Sequence, residues 1–179
     1  MKLKKILKKS IRSTEKMFSK KYRESLNRKK IYEFQGFQYV FLKQEIKILS
    51  YHGQEKELHI PEKIENKKVT IIEKEAFKGN KRLEKVFLPE SIEVVREAAF
   101  SMCKNLKYVY LPVDLESIPI RCFYGCSALL QVQIPCELKK IGKEAFKNCS
   151  NLILLKSYVK SGISAVKKVR KDLEDCDLP

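Results

Sequence analysis

A period of 23 residues runs through the middle of this chain. Phe77, Phe100, Phe123 and Phe146 stand at that spacing, and so do Leu83, Leu106, Leu129 and Leu152. Asn80, Cys103, Cys126 and Cys149 keep the same interval, as do Ile72, Val95, Ile118 and Ile141. Ala76, Ala99, Cys122 and Ala145 form a column of small residues, and Pro89, Pro112 and Pro135 form another. Pro61 precedes Pro89 by 28 residues, so the first repeat carries five extra residues. A short fixed period of this kind restricts the chain to an array of stacked units, because one unit is too small to bury its own apolar side.

The columns give each unit its local structure. In Leu83-Glu84-Lys85-Val86-Phe87-Leu88-Pro89, apolar and outward positions alternate about Val86, which predicts a short strand. Proline then ends the strand, since it has no N–H to give to a ladder. A return arm follows, with Val69, Ile92, Leu115 and Leu138, then the Ile72 column, then the small residue and the phenylalanine. Coils stacked at ~4.8 Å turn each column into a ladder of like residues and put parallel strands on one face.

These residues resemble the BspA-type leucine-rich-repeat family. The pattern is clearest in Ile134-Pro135, Ile141-Gly142, Ala145-Phe146, Cys149 and Leu152, and recurs as Leu88-Pro89, Ala99-Phe100, Cys103 and Leu106. Ile60-Pro61 followed by Val69-Thr70 fits its beginning, and the likeness covers roughly residues 37–155. Glu73, Arg96 and Pro119 stand where the pattern has glycine, and Asn80 stands where it has cysteine. The resemblance implies a binding or adhesion protein and brings no catalytic residues with it.

Solenoid ends need covers. Phe37 to Phe41 and Glu45 to Tyr51 read as two strands joined near Lys43-Gln44, a hairpin that closes the first coil with Ile46, Ile48 and Tyr51. Ser161-Gly162 opens an expected helix to about Asp175, with Ile163, Val166, Val169 and Leu173 on one face as a cap over Leu152 to Leu155. The expected architecture is a repeat solenoid with parallel strands on one face, an N-terminal β-hairpin cap and flanking N- and C-terminal helices. Its expected parts are a basic helical arm (1–30), the hairpin (31–57), four coils (58–155) and a C-terminal helix with tail (156–179).

Charge separates the arm from the body. Of the formal net +16, residues 1–30 carry +11, residues 31–155 carry +3 and residues 156–179 carry +2. Leu3, Leu7, Ile11, Phe18, Tyr22 and Leu26 form an apolar stripe at helical spacing, with Lys4, Lys5, Lys8, Lys9 and Arg12 around it. Such an arm suits an anionic membrane surface, nucleic-acid phosphate or the groove of a protein partner, and as a bare solvated extension it has no partner at all. The lysine-rich start has no apolar run behind it, so export by a signal peptide is not expected.

Little in the chain suggests catalysis. The histidines, His52 and His59, lie apart from the repeat cysteines, and Cys122 and Cys126 fall in separate columns rather than converging as zinc ligands do. Buried, reduced cysteines packed in a ladder explain most of the thiols, while Cys136 and Cys176 fall outside the columns. Neither cofactor nor metal is expected. The outward strand positions are Phe87, Tyr110, Gln133 and Lys156 in one row and Lys85, Tyr108, Gln131 and Leu154 in the next, with His59 the equivalent in the first coil. Phe87, Tyr108 and Tyr110 are expected to cluster as interface anchors, although aromatic residues also suit plain cross-strand packing.

The function expected is that of a non-catalytic, bacterial module, cytoplasmic or peripheral to the membrane, that binds a protein or peptide on its strand face. The alternatives are a surface adhesin for host proteins, exported by a non-classical route, and a nucleic-acid or anionic-membrane binder acting through the arm.

Overall fold

The structure is a computed structural model that describes residues 30–135 and 138–157, with side chains described through residue 153. The helices expected in the basic arm and after Ser161, together with Cys136, Cys176 and the side chain of Lys156, lie outside the described residues. The described part of the body is built from strands and turns.

Three strands open it: β1 (Tyr32–Phe34), β2 (Phe37–Phe41) and β3 (Glu45–Tyr51). β4 (Glu57–His59), β5 (Lys63–Ile64) and β6 (Lys67–Ile72) form the first coil. β7 (Lys85–Phe87) with β8 (Val94–Val95), β9 (Tyr108–Tyr110) with β10 (Ser117–Ile118), and β11 (Gln131–Ile134) with β12 (Lys140–Ile141) form the next coils. β13 (Leu154–Ser157) completes the strand face. That face is a five-stranded parallel sheet in the order β13-β11-β9-β7-β4. Its register steps by whole repeats, with Val86 opposite Val109 and Val109 opposite Val132.

The core is the set of columns. Phe77, Phe100, Phe123 and Phe146 are buried and stack with ring centroids 4.7, 5.6 and 5.4 Å apart, each pair inclined by 13°. Beside them the buried thiols of Cys103, Cys126 and Cys149 each donate to the carbonyl of the phenylalanine one coil earlier, at 3.0, 3.1 and 3.1 Å. Asn80 opens that column, where no earlier repeat phenylalanine exists to accept. Its Oδ1 instead accepts the N–H groups of Arg82 and Leu83, closing its own turn.

Glycine departures also acquire reasons. A side chain on Gly142 would collide with the backbone of Pro119 and Ile120, so this rung needs a bare Cα. Glu73, in the same column, is buried, and its N–H donates to the Ile48 carbonyl of the cover at 2.9 Å. Its carboxylate accepts from Lys47 Nζ at 2.9 Å and lies 3.5 Å from Arg96 Nε, the next member of the column. A buried charge held this way needs both partners.

The N-terminal cover is larger than a hairpin. β1 adds a third antiparallel strand, turning back through Gln35 and Gly36, whose φ values of 46° and 80° meet the left-handed requirement of a two-residue turn. β3 then pairs in parallel with β6, placing Ile46 beside Val69 and Ile48 beside Ile72. The cover therefore extends the return-arm columns by one rung. Phe37 and Tyr51 close the phenylalanine ladder, with ring centroids 6.4 and 5.5 Å from that of Phe77. The five extra residues of the first coil allow the β5–β6 hairpin, which turns through Glu65 and Asn66 at φ 49° and 63°.

Phe100 has a ring neighbour on each side, so truncation leaves a cavity that neither coil can fill by itself. Phe100→Ala is expected to lower unfolding free energy by about 3–5 kcal/mol, read as a reduced urea midpoint with an unchanged slope.

Candidate functional site

Alternation in the short strands aims every second side chain outward. Leu58, Val86, Val109 and Val132 point into the core, which leaves Glu57, Lys85, Tyr108 and Gln131 in one outward row and His59, Phe87, Tyr110 and Gln133 in the other. Lys156 continues the second row by register, opposite Gln133.

The second row is a stack. The His59 and Phe87 rings are 4.2 Å apart and 2° from parallel, and the Phe87 and Tyr110 rings are 4.4 Å apart and 5° from parallel. Face-to-face contact at one-rung spacing turns the ring edges outward, and the Tyr110 hydroxyl lies at the rim of its ring. Tyr108 stands in the neighbouring row, opposite Lys85 on one side and Gln131 on the other. The expected cluster of Phe87, Tyr108 and Tyr110 is thus a stack of Phe87 and Tyr110 extended by His59, with Tyr108 beside it. Gln131 and Gln133 project from β11 and give the face neutral amides where the earlier coils have aromatic and charged groups.

Ion pairs organise the first coils of the face. Lys85 donates to Glu57 one coil earlier at 3.1 Å, which raises the lysine pKa and lowers that of the glutamate. Glu84 is shared by Lys107 at 2.8 Å and Lys56 at 3.0 Å. Hydrogen bonds from these two ammonium groups hold its carboxyl well below the usual range, at about 2. Sequence inspection passed over Lys56, Glu57, Glu84 and Lys107. The signal was available, because Lys56, Glu84 and Lys107 occupy one column and alternate in sign.

The Cys122 and Cys126 thiols are held in the protonated, poorly nucleophilic form in the folded state. Burial pushes the Cys122 thiol far above its ordinary value, and a hydrogen bond involving Cys103, with burial, does the same for Cys126. Among the described residues, no group of three or more His, Cys, Asp or Glu side chains could hold a metal ion. No described helix is long and apolar enough to cross a membrane.

A parallel strand face, a return arm and repeating coils define a leucine-rich-repeat solenoid, which is generally a non-enzymatic binding scaffold. The sequence matches the BspA type leucine rich repeat region in six copies over residues 50–167, and the chain belongs to that family. Its repeats are typical of protein–protein interaction or surface proteins. Solved structures agree on the fold. The Treponema pallidum leucine-rich-repeat protein TpLRR is 26% identical with a TM-score of 0.55, and the match covers 69% of each chain. A leucine-rich-repeat protein of Bacteroides capillosus is 22% identical with a TM-score of 0.63, covering 71% of this chain and 97% of that one. The pneumococcal vaccine antigen PcpA is 23% identical with a TM-score of 0.58, covering 69% of this chain and 31% of its own. No curated protein matches the sequence.

Because Glu84 titrates at about 2 in the folded protein and near 4.5 when free, its ion pairs stabilise the fold above pH 4.5. That contribution is lost as pH falls toward 2. Glu84→Gln is expected to make the acid limb of a stability–pH curve shallower in that window. The difference should shrink in high salt, since the pairs are at the surface.

Proposed function

We propose that the protein is a non-catalytic interaction module whose strand face, built from Lys85, Phe87, Tyr108, Tyr110, Gln131, Gln133 and Lys156, holds a protein or peptide. The observation that carries this reading is the His59, Phe87 and Tyr110 stack on the outward face. Rings stacked on one another lose little conformational freedom on binding, because their neighbours already hold them. Tyrosine hydroxyls and glutamine amides beside them supply hydrogen bonds for a polypeptide backbone. The few short strands give a small contact area, which suits a peptide-like segment.

The reading places the protein in the cytoplasm, where thiols stay reduced. The S–H donors of Cys103, Cys126 and Cys149 support this placement, since each uses its proton in the ladder. The basic arm, with Lys4, Lys5, Lys8, Lys9 and Arg12, would then localise the module at an anionic membrane surface.

The test is crosslinking and co-purification from native cells with the wild-type chain and with a Phe87→Ser, Tyr110→Ser double variant. The variant is expected to keep its circular dichroism spectrum and to lose the wild-type partner. Substitution of the exposed Val94, on β8 of the return arm, is expected to keep it. Equal capture by the double variant and the wild type would remove the strand face from the account.

A further inference from the structure

The two ends of the face strands differ in charge balance, basic at one and acidic at the other, with exposed Glu55 and Glu57 against the trend at the first and Lys63 at the second. At their N-terminal end, the turns supply exposed Lys81, Arg82 and Lys104, and the first strand-edge column supplies Lys56 and Lys107. Adjacent coils bring these residues into one rim, because Asn105 Nδ2 donates to the Lys81 carbonyl at 2.7 Å and the Lys107 N–H donates to the Glu84 carbonyl at 2.8 Å. Glu84 is already shared by Lys56 and Lys107, while Lys81, Arg82 and Lys104 have no ion-pair partner among the described residues. At the C-terminal end, just past the prolines, stand exposed Glu62, Glu90 and Asp114.

From this asymmetry, and resting on the strand-face reading above, we infer that the partner presents an acidic, extended peptide segment that runs along the Lys81, Arg82 and Lys104 rim with its apolar side chains against Phe87, Tyr108 and Tyr110. A strand of three residues spans only about 10 Å, close to one Debye length in ordinary salt. The acidic rim therefore acts across the whole face. It repels a broad polyanion such as a nucleic-acid backbone or an anionic bilayer, while a narrow chain can follow the basic rim alone. Ring edges carry partial positive charge, which also favours carboxylates beside the stack. The rim cations are free to pair at little desolvation cost, so they set orientation and encounter rate as well as affinity.

The probe is a short fluorescent peptide of alternating glutamate and leucine, titrated against the full chain at low and moderate salt. Lys81→Glu, Arg82→Glu, Lys104→Glu in one variant is expected to weaken binding roughly tenfold or more. Reversal of Lys68, Lys140 and Lys143, exposed on the return arm, controls for net charge and is expected to change it little. Equal losses from both reversals would reduce the effect to net charge, and no loss from either would assign the probe to the basic arm. Both results overturn the inference. So does tighter binding, through the same three residues, of a thymidine oligonucleotide matched in charge. If rim reversal leaves the probe bound while Phe87→Ser, Tyr110→Ser abolishes capture of the cellular partner, the strand face stands and the acidic ligand does not.

Discussion

Everything in this fold depends on placing like over like at the spacing of one β-ladder rung. A coil of this length has no inside of its own, so its apolar residues are covered only by the same residues of the coil above and below. The phenylalanine ladder meets that demand with nearly parallel rings, and the cysteine column fits beside it because a thiol is small and can reach a backbone carbonyl. The backbone must also repeat. Glu75, Ala98, Arg121 and Glu144 all have φ between 54° and 60°, although none is glycine. Such a conformation costs about 1–2 kcal/mol per residue. It persists because it aims the N–H groups of Glu75, Ala98 and Arg121 at carbonyls of the following coil, at 3.0 to 3.1 Å. Met102 joins Gly79 and Gly125 in a second left-handed column with the same type of cross-coil bond.

A repeating core creates an end problem, and the N-terminal solution is partly a disguised rung. β3 carries no Ala-Phe pair, yet Ile46 and Ile48 sit beside Val69 and Ile72 as a coil's residues would. Antiparallel β1 and β2 then leave the parallel pattern, and Phe37 with Tyr51 replaces the missing phenylalanine. The buried ion pair of Lys47 with Glu73 joins cover and first coil in the column where later coils carry Arg96, Pro119 and Gly142.

Surface charge follows the columns as closely as the core does. Lys74 with Glu97, Lys107 with Glu84, and Arg121 with Glu144 each pair one repeat apart. Such pairs keep the body near neutral, and each is worth little alone at an exposed site. They matter here for what they leave over: a basic rim, an acidic rim and an aromatic row between them. The face thereby has direction, in a family whose repeats are typical of interaction and surface proteins.

The sequence by itself determined the period, the columns, the strand positions and which residues face outward, because a one-dimensional repeat converts spacing directly into neighbours. Phe37 to Phe41 and Glu45 to Tyr51 were legible as strands through alternation alone. β1 was not, because its three residues have no periodic partner and depend on the Gln35-Gly36 turn. Tertiary structure decided that His59 stacks on Phe87, that Tyr108 stands apart from that stack, and that Glu84 serves two lysines. These outcomes depend on rotamers and on the register between coils, which spacing does not specify. It also decided why Gly142 must lack a side chain. The cause is the close approach of the Pro119 and Ile120 backbone, which only the register between coils reveals.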